Sequence, residues 1–216
     1  MAMAVRTLHL MYDALCAWCY AIDPHMRAAE KIRDIEIVLH GGGLYPLPEP
    51  YPNPSGGGVA NFLAESKQRH PQIARDTGMP ISDRFESAFK AMTKATAIDS
   101  RPAIAAVLAA DKLQGDGLGM LRELQRSFFA RAEPILDKSG VSAIAPRLGL
   151  RKEAFEREYA ALISGKVERH IRETRKLLEK VGASGYPTLA LEEGGSFKLV
   201  KLTRFDNPKG WASRLR

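Results

Sequence analysis

The stretch YDALCAWCYAIDP, Tyr12 to Pro24, holds both cysteines of the 216-residue chain, Cys16 and Cys19, with only Ala17 and Trp18 between them. Two thiols at that spacing in a chain this long ask for a cause. A zinc site needs further nitrogen or sulfur ligands. No thiol remains, and His9, His25, His40, His70 and His170 contain no His-x3-5-His pair, so no metal is expected. Cysteines can pack in a core as small hydrophobes, but core residues have no need to be neighbours. The third cause is a redox dithiol, and the surrounding sequence supports it.

Upstream, Arg6 to Tyr12 (RTLHLMY) alternates weakly over a strand's length. Downstream, Ile35 to His40 (IEIVLH) is β-branched and apolar and is stopped by Gly41, Gly42 and Gly43. A helix-length stretch, Cys16 to Arg33, lies between them. Strand, helix and strand in about 35 residues is the size of a βαβ unit, with C-x-x-C opening its helix.

That placement has a chemical reason. Unsatisfied backbone N–H groups and the macrodipole at a helix N-terminus favour an anion and lower the pKa of a thiol there. A residue three positions on lies beside the first, so Cys19 can attack a mixed disulfide formed at Cys16 and release the product. Nucleophile and resolver must be neighbours.

After the second strand, GGGLYPLPEPYPNPSGGG (Gly41 to Gly58) is too rich in proline and glycine to propagate helix or strand, and reads as a connector. From Val59 to about Ile163 nearly every segment has apolar residues at three- and four-residue spacing, with glycines in the gaps. A polar-faced helix then runs from Lys166 to about Val181, with opposite charges at helical spacing such as Glu168 and Arg172. Two strand candidates follow, Thr188 to Leu191 and Lys198 to Thr203, around the turn Glu193-Gly194-Gly195, and a short helix from Pro208 to Leu215 closes the chain.

A composition of 45 % hydrophobic and 26 % charged residues is that of a globular protein able to bury a core. The formal charge of +7 is spread along the chain and interleaved with acids, which predicts solvated helix faces and no nucleic-acid partner. The longest apolar run, Ala103 to Ala110, falls far short of the roughly 20 residues a membrane span needs. The N-terminus lacks a basic region followed by a sustained apolar one, so a cytoplasmic protein without a membrane partner is expected.

DALCAWCY followed by Pro24 resembles the active-site helix of the thioredoxin superfamily, and GASGYPTLAL resembles its cis-proline loop, with Pro187 at the matching position. TGMPISDRF, DSRPAIAAVLAA, LQRSFFARAEPILD and IAPRLGLRKEAFEREY resemble, in the same order, the helical insertion of the DsbA family, including its FrnE-like members. The resemblance implies a thioredoxin-like α/β fold, β-α-β then β-β-α around a mixed sheet, interrupted by an all-helical insertion. It divides the chain into a discontinuous thioredoxin-like part, 1–45 and 166–216, and a connector with helices, 46–165.

It also implies a thiol:disulfide oxidoreductase or isomerase with no cofactor, acting on protein or peptide thiols and disulfides, with glutathione as a further partner. Cys16 and Cys19 would be catalytic; Tyr186, Pro187, Trp18 and Ala17 would meet substrate. Pro187 is expected to be cis and close to Cys16, with the Tyr186 backbone pairing to an extended substrate. Ala17 and Ala14 stand where the family often has proline, and intervening residues tune reduction potential, so the direction of reaction stays open.

Asp13, three residues before Cys16, reads as a loop cap. Two alternatives stay open. One is a glutathione-dependent transferase or isomerase of the kappa or 2-hydroxychromene-2-carboxylate isomerase type, which typically has serine at the nucleophile position. The other is a non-catalytic, redox-sensing peptide-binding protein or chaperone.

Overall fold

The computed structural model describes residues 6–45, 58–202 and 207–215. Strand β1 (Arg6–Tyr12) lies inside a four-stranded sheet of order β2-β1-β3-β4. It pairs in parallel with β2 (Ile35–Gly41) and antiparallel with β3 (Thr188–Glu193), which pairs antiparallel with β4 (Ser196–Leu199). Leu8 sits between Ile37 and Leu191 in register. The weak alternation of β1 follows from burial on both faces: Leu8, Leu10 and Tyr12 enter the main core, while Met11 joins Leu178 and Ala190 on the other side.

The second hairpin strand ends at Leu199, earlier than expected, and the expected end at Thr203 lies outside the described residues. The connector positions 46–57 also lie outside them. The single helix expected over Cys16 to Arg33 is instead two, α1 (Ala17–Ala21) and α2 (Asp23–Ala29). The break at Ile22 (ψ 2°) has a simple cause: Pro24 cannot donate to the carbonyl one turn back, so the helix restarts with proline in its first turn.

Between β2 and β3 come α3 (Val59–Thr77), α4 (Phe85–Ala95), α5 (Arg101–Gln114), α6 (Gly117–Gln125), α7 (Lys138–Ile144), α8 (Lys152–Ile163) and α9 (Lys166–Lys180). Helix α6 continues into one π turn, Arg126–Ala130. The run Ala103 to Ala110 forms the middle of α5, and its small side chains let α6, α7, α8 and α9 all pack on that helix. Phe62, Phe85, Phe89, Phe128 and Phe129 stack into an aromatic core that joins α3 and α4 to the π turn, with the Phe62 and Phe89 centroids 4.2 Å apart. Helix α10 (Pro208–Ser213) packs on α2, setting Trp211 edge-on to His25.

Ion pairs are among the contacts that tie the inserted helices to the sheet side. Arg122 of α6 donates to Asp23 and Glu30, on and just beyond α2. On α9, Glu168 does not serve Arg172 as its spacing predicts; it accepts from Arg101 at the start of α5, at 3.1 Å. The polar face of α9 is therefore partly an internal surface. Among the described residues no helix is long and apolar enough to cross a membrane.

Candidate dithiol active site

The site begins where β1 ends. Asp13 turns its carboxylate back on the chain, accepting the Leu15 N–H at 2.8 Å through Oδ1 and the Leu44 N–H at 2.6 Å through Oδ2. This ties the loop to the segment after β2 and leaves Cys16 as the extended N-cap of α1 (φ −85°, ψ 114°). Full burial pushes the Asp13 carboxyl up, opposed by the two backbone bonds and by Ser100.

Cys16 and Cys19 are both free thiols and both nearly buried, at 7 % and 5 % exposure. Position separates them better than area does. Cys16 lines a hollow open to the surface, whereas Cys19 lies behind it in the core. The Cys19 thiol is pushed well up by burial and by its hydrogen bond to Cys16, so it holds its proton. No acidic residue in the first turn of α1 competes for the free N–H groups there.

The Cys16 sulfur meets the carbonyl of Tyr186 at 3.5 Å, and the Tyr186–Pro187 peptide is cis. The Tyr186 hydroxyl donates to the Gly42 carbonyl at 3.0 Å. Only glycine fits there, because a Cβ on Gly42 would stand 2.0 Å from the tyrosine ring. Arg175 of α9 donates to the carbonyls of Gly42 (3.1 Å) and Gly43 (2.6 Å), and His170 accepts the Gly41 N–H at 2.9 Å. The three glycines read from sequence as a strand stop are thus also a brace between α9 and the cis-proline loop. Their position directly after a strand was the available signal; the partners on α9 carried none.

Trp18, half-buried, forms a ridge between two hollows. On one side is a mainly apolar space of about 240 Å³ lined by Ala21, Ile22, Tyr186, Pro187 and Leu189. On the other, Cys16 and Ala17 face Tyr45 and the α3 residues Glu65, Ser66 and Arg69. Sequence reasoning assigned no role to α3, although Glu65 and Arg69 stand at i,i+4 spacing.

The sheet also gathers three histidines that sequence spacing kept apart. His9 and His40 approach at 2.9 Å, His9 meets Glu192 at 2.8 Å, and His170 stacks on His40. Burial first, then His9 and His170, lower His40 to about 4. No group of described residues could hold a metal ion.

Two thiols at the head of a helix, one behind the other, with the carbonyl of the residue before a cis-proline on the outer sulfur, form the arrangement of a thioredoxin-fold redox site. Residues 7–209 match the DSBA-like thioredoxin domain family, and the chain belongs to that family. It is a DsbA-like thiol:disulfide oxidoreductase with a C-x-x-C pair at Cys16 and Cys19.

Among solved structures it is similar to the cytosolic disulfide reductase DsbM from Pseudomonas aeruginosa, at 30 % identity over 97 % of this chain and 96 % of that one, with a TM-score of 0.84. The structure of that protein with GSH aligns with the same identity and coverage and a TM-score of 0.78. A putative protein disulfide isomerase from Nitrosomonas europaea shares the fold at 17 % identity over 97 % of this chain and 95 % of that one, with a TM-score of 0.74. No curated protein matches the chain.

Proposed function

We propose that the protein is a cytoplasmic reductase or isomerase of protein and peptide disulfides, with Cys16 as nucleophile, Cys19 as resolver and glutathione as the electron donor. The observation that carries this reading is the position of the Cys16 sulfur, between an open hollow and the Tyr186 carbonyl, with the proton-bearing Cys19 behind it. The similarity to a cytosolic disulfide reductase, a protein also solved with GSH, supports the direction, the compartment and the donor.

In this mechanism the Cys16 thiolate attacks one sulfur of a substrate disulfide, and the other sulfur leaves as a thiolate. Cys19 then attacks the Cys16 sulfur of the mixed disulfide, passing its proton to the departing substrate thiolate; substrate gains two electrons and the protein becomes a Cys16–Cys19 disulfide. Two glutathione thiols reverse that oxidation, the first opening the disulfide at Cys16 and the second removing the bound glutathione as the glutathione disulfide. The high proton affinity of Cys19 suits this order, because the resolver stays silent until a mixed disulfide forms next to it.

Tyr186 and Pro187 would offer the strand-like edge for substrate, and Trp18 and Ala17 the opposite wall. In this reading the thioredoxin-like part, 1–45 and 166–216, supplies the chemistry, while the helical part, 46–165, closes the cleft with α3.

The test is glutathione-driven reduction of insulin disulfides. Cys16→Ser should abolish turnover, since a serine hydroxyl without a base is a poor nucleophile at neutral pH. Full activity of Cys16→Ser would refute the proposal.

A further inference from the structure

The wall of the Cys16 hollow contributed by α3 carries an arrangement that disulfide exchange does not use. Arg69 donates through Nη1 to Glu65 Oε2 at 2.8 Å, and this single bond leaves the Nε and Nη2 donors of Arg69 and one oxygen of Glu65 without a hydrogen bond among the described residues. The two side chains remain 45 % and 28 % exposed, and both line the same hollow as Cys16. Tyr45 lines the same hollow, and its phenol is pushed up first by burial and then by the charge of Glu65.

A paired cation and anion beside a nucleophile select by charge type. A plain carboxylate arriving there meets repulsion from Glu65 that opposes its attraction to Arg69. An α-amino acid head carries both charges on one α-carbon, so its carboxylate can take the free Arg69 donors while its ammonium takes the free Glu65 oxygen. The γ-glutamyl end of glutathione is such a head, tethered to the sulfur that must reach Cys16.

We propose that Glu65 and Arg69 form the recognition site for the γ-glutamyl zwitterion of glutathione, setting the preference for this thiol over others. The inference rests on the reading of glutathione as electron donor, and it goes further by naming the end of the molecule that is recognised and the helix that does it. The site lies on the inserted helices, so recognition of the donor is added to the thioredoxin-like chemistry by α3.

The experiment uses the full chain carrying Cys19→Ser, in which attack by the Cys16 thiolate on a disulfide gives one mixed disulfide and releases one thiolate. Its rate is followed by acid quench and mass spectrometry with two probes. One is the glutathione disulfide; the other is the disulfide of N-acetyl-Cys-Gly, which keeps the glycine carboxylate and replaces the γ-glutamyl group by acetyl. Adding Arg69→Ala should slow the glutathione reaction about tenfold, the size of one lost charge-assisted contact, and change the acetylated probe by less than about twofold.

Glu65→Gln separates a zwitterion site from a simple anion site by sign. The proposal requires it to slow the glutathione reaction, whereas relief of repulsion at an anion site would speed it. Arg69→Lys should restore part of the rate, showing that the loss concerns charge and not the fold of α3.

Equal slowing of both probes by Arg69→Ala, no slowing of either, or acceleration by Glu65→Gln would each overturn the site while leaving the dithiol chemistry intact. A Cys19→Ser parent that traps peptide disulfides yet takes no glutathione would instead remove glutathione as donor, and this site with it.

Discussion

The sulfur of Cys16 lies 3.5 Å from the carbonyl oxygen of Tyr186, and the Tyr186 ring is fixed from behind by its hydroxyl bond to Gly42. The Cys16 thiol therefore faces a loop whose position is set by a backbone carbonyl more than a hundred residues away in the chain. Helix α9 holds that carbonyl through Arg175, so sheet edge, glycine turn and cis-proline loop form one connected support.

Gly42→Ala tests that support. The new methyl carbon would stand 2.0 Å from the Tyr186 ring, so ring or loop must move and the hydroxyl bond is lost. The expected cost is about 1–3 kcal/mol in urea denaturation, with a slower reaction at Cys16. Tyr186→Phe should cost less, about 0.5–1.5 kcal/mol, because Arg175 still serves the Gly42 carbonyl. A Gly42→Ala protein as stable and as reactive as the parent would show that the loop is held by something else.

His70 makes acid sensitivity measurable. It is buried edge-on to Phe85, with ring centroids 4.6 Å apart, and burial lowers it from the ordinary 6.5 to about 4. A depressed folded pKa means that the stability contributed by neutral His70 is complete above pH 6.5 and is lost as pH falls through about 4. His70→Phe removes that titration, so its urea stability should fall less steeply with acid across this window, by up to about 1.4 kcal/mol per pH unit. His40 shifts the same way and leaves a residual slope. Identical slopes in parent and variant would contradict the assignment.

Arg122 measures how firmly α6 is fastened to α2. Its guanidinium is 13 % exposed and is shared by Asp23 and Glu30. Arg122→Met keeps the apolar stem and removes the charge. Arg27 still neutralises Asp23, so a moderate loss of about 1.5–3 kcal/mol is expected in chemical denaturation. A loss within a few tenths of a kcal/mol would mean that apolar packing alone fastens these elements.

The C-x-x-C spacing, β1 and β2 were legible because each rests on a local pattern, whereas the cis-proline loop was legible only through the family resemblance, since Gly-Tyr-Pro by itself reads as a simple turn. The split of α1 from α2 was legible in principle, since Pro24 lacks the donor that a continuous helix requires. The partners of Gly42 were not, because nothing local to Gly41–Gly43 or to Arg175 shows that the fold brings them together. The same holds for Glu168, whose opposite charge at i+4 spacing is Arg172 but whose partner in space is Arg101. Helix α3 read only as an amphipathic segment, and the significance of Glu65 and Arg69 came from their placement against Cys16.

The central claim is that Cys16 attacks and Cys19 resolves. Incubating Cys19→Ser and Cys16→Ser with a model disulfide peptide, then mapping adducts by mass spectrometry without reduction, tests it most directly. The account predicts a persistent, reductant-sensitive adduct on Cys16 in Cys19→Ser, because the thiol that would expel the peptide is gone, and none on Cys19 in Cys16→Ser, where the remaining thiol is buried and holds its proton. An adduct accumulating on Cys19 and absent from Cys16 would contradict it.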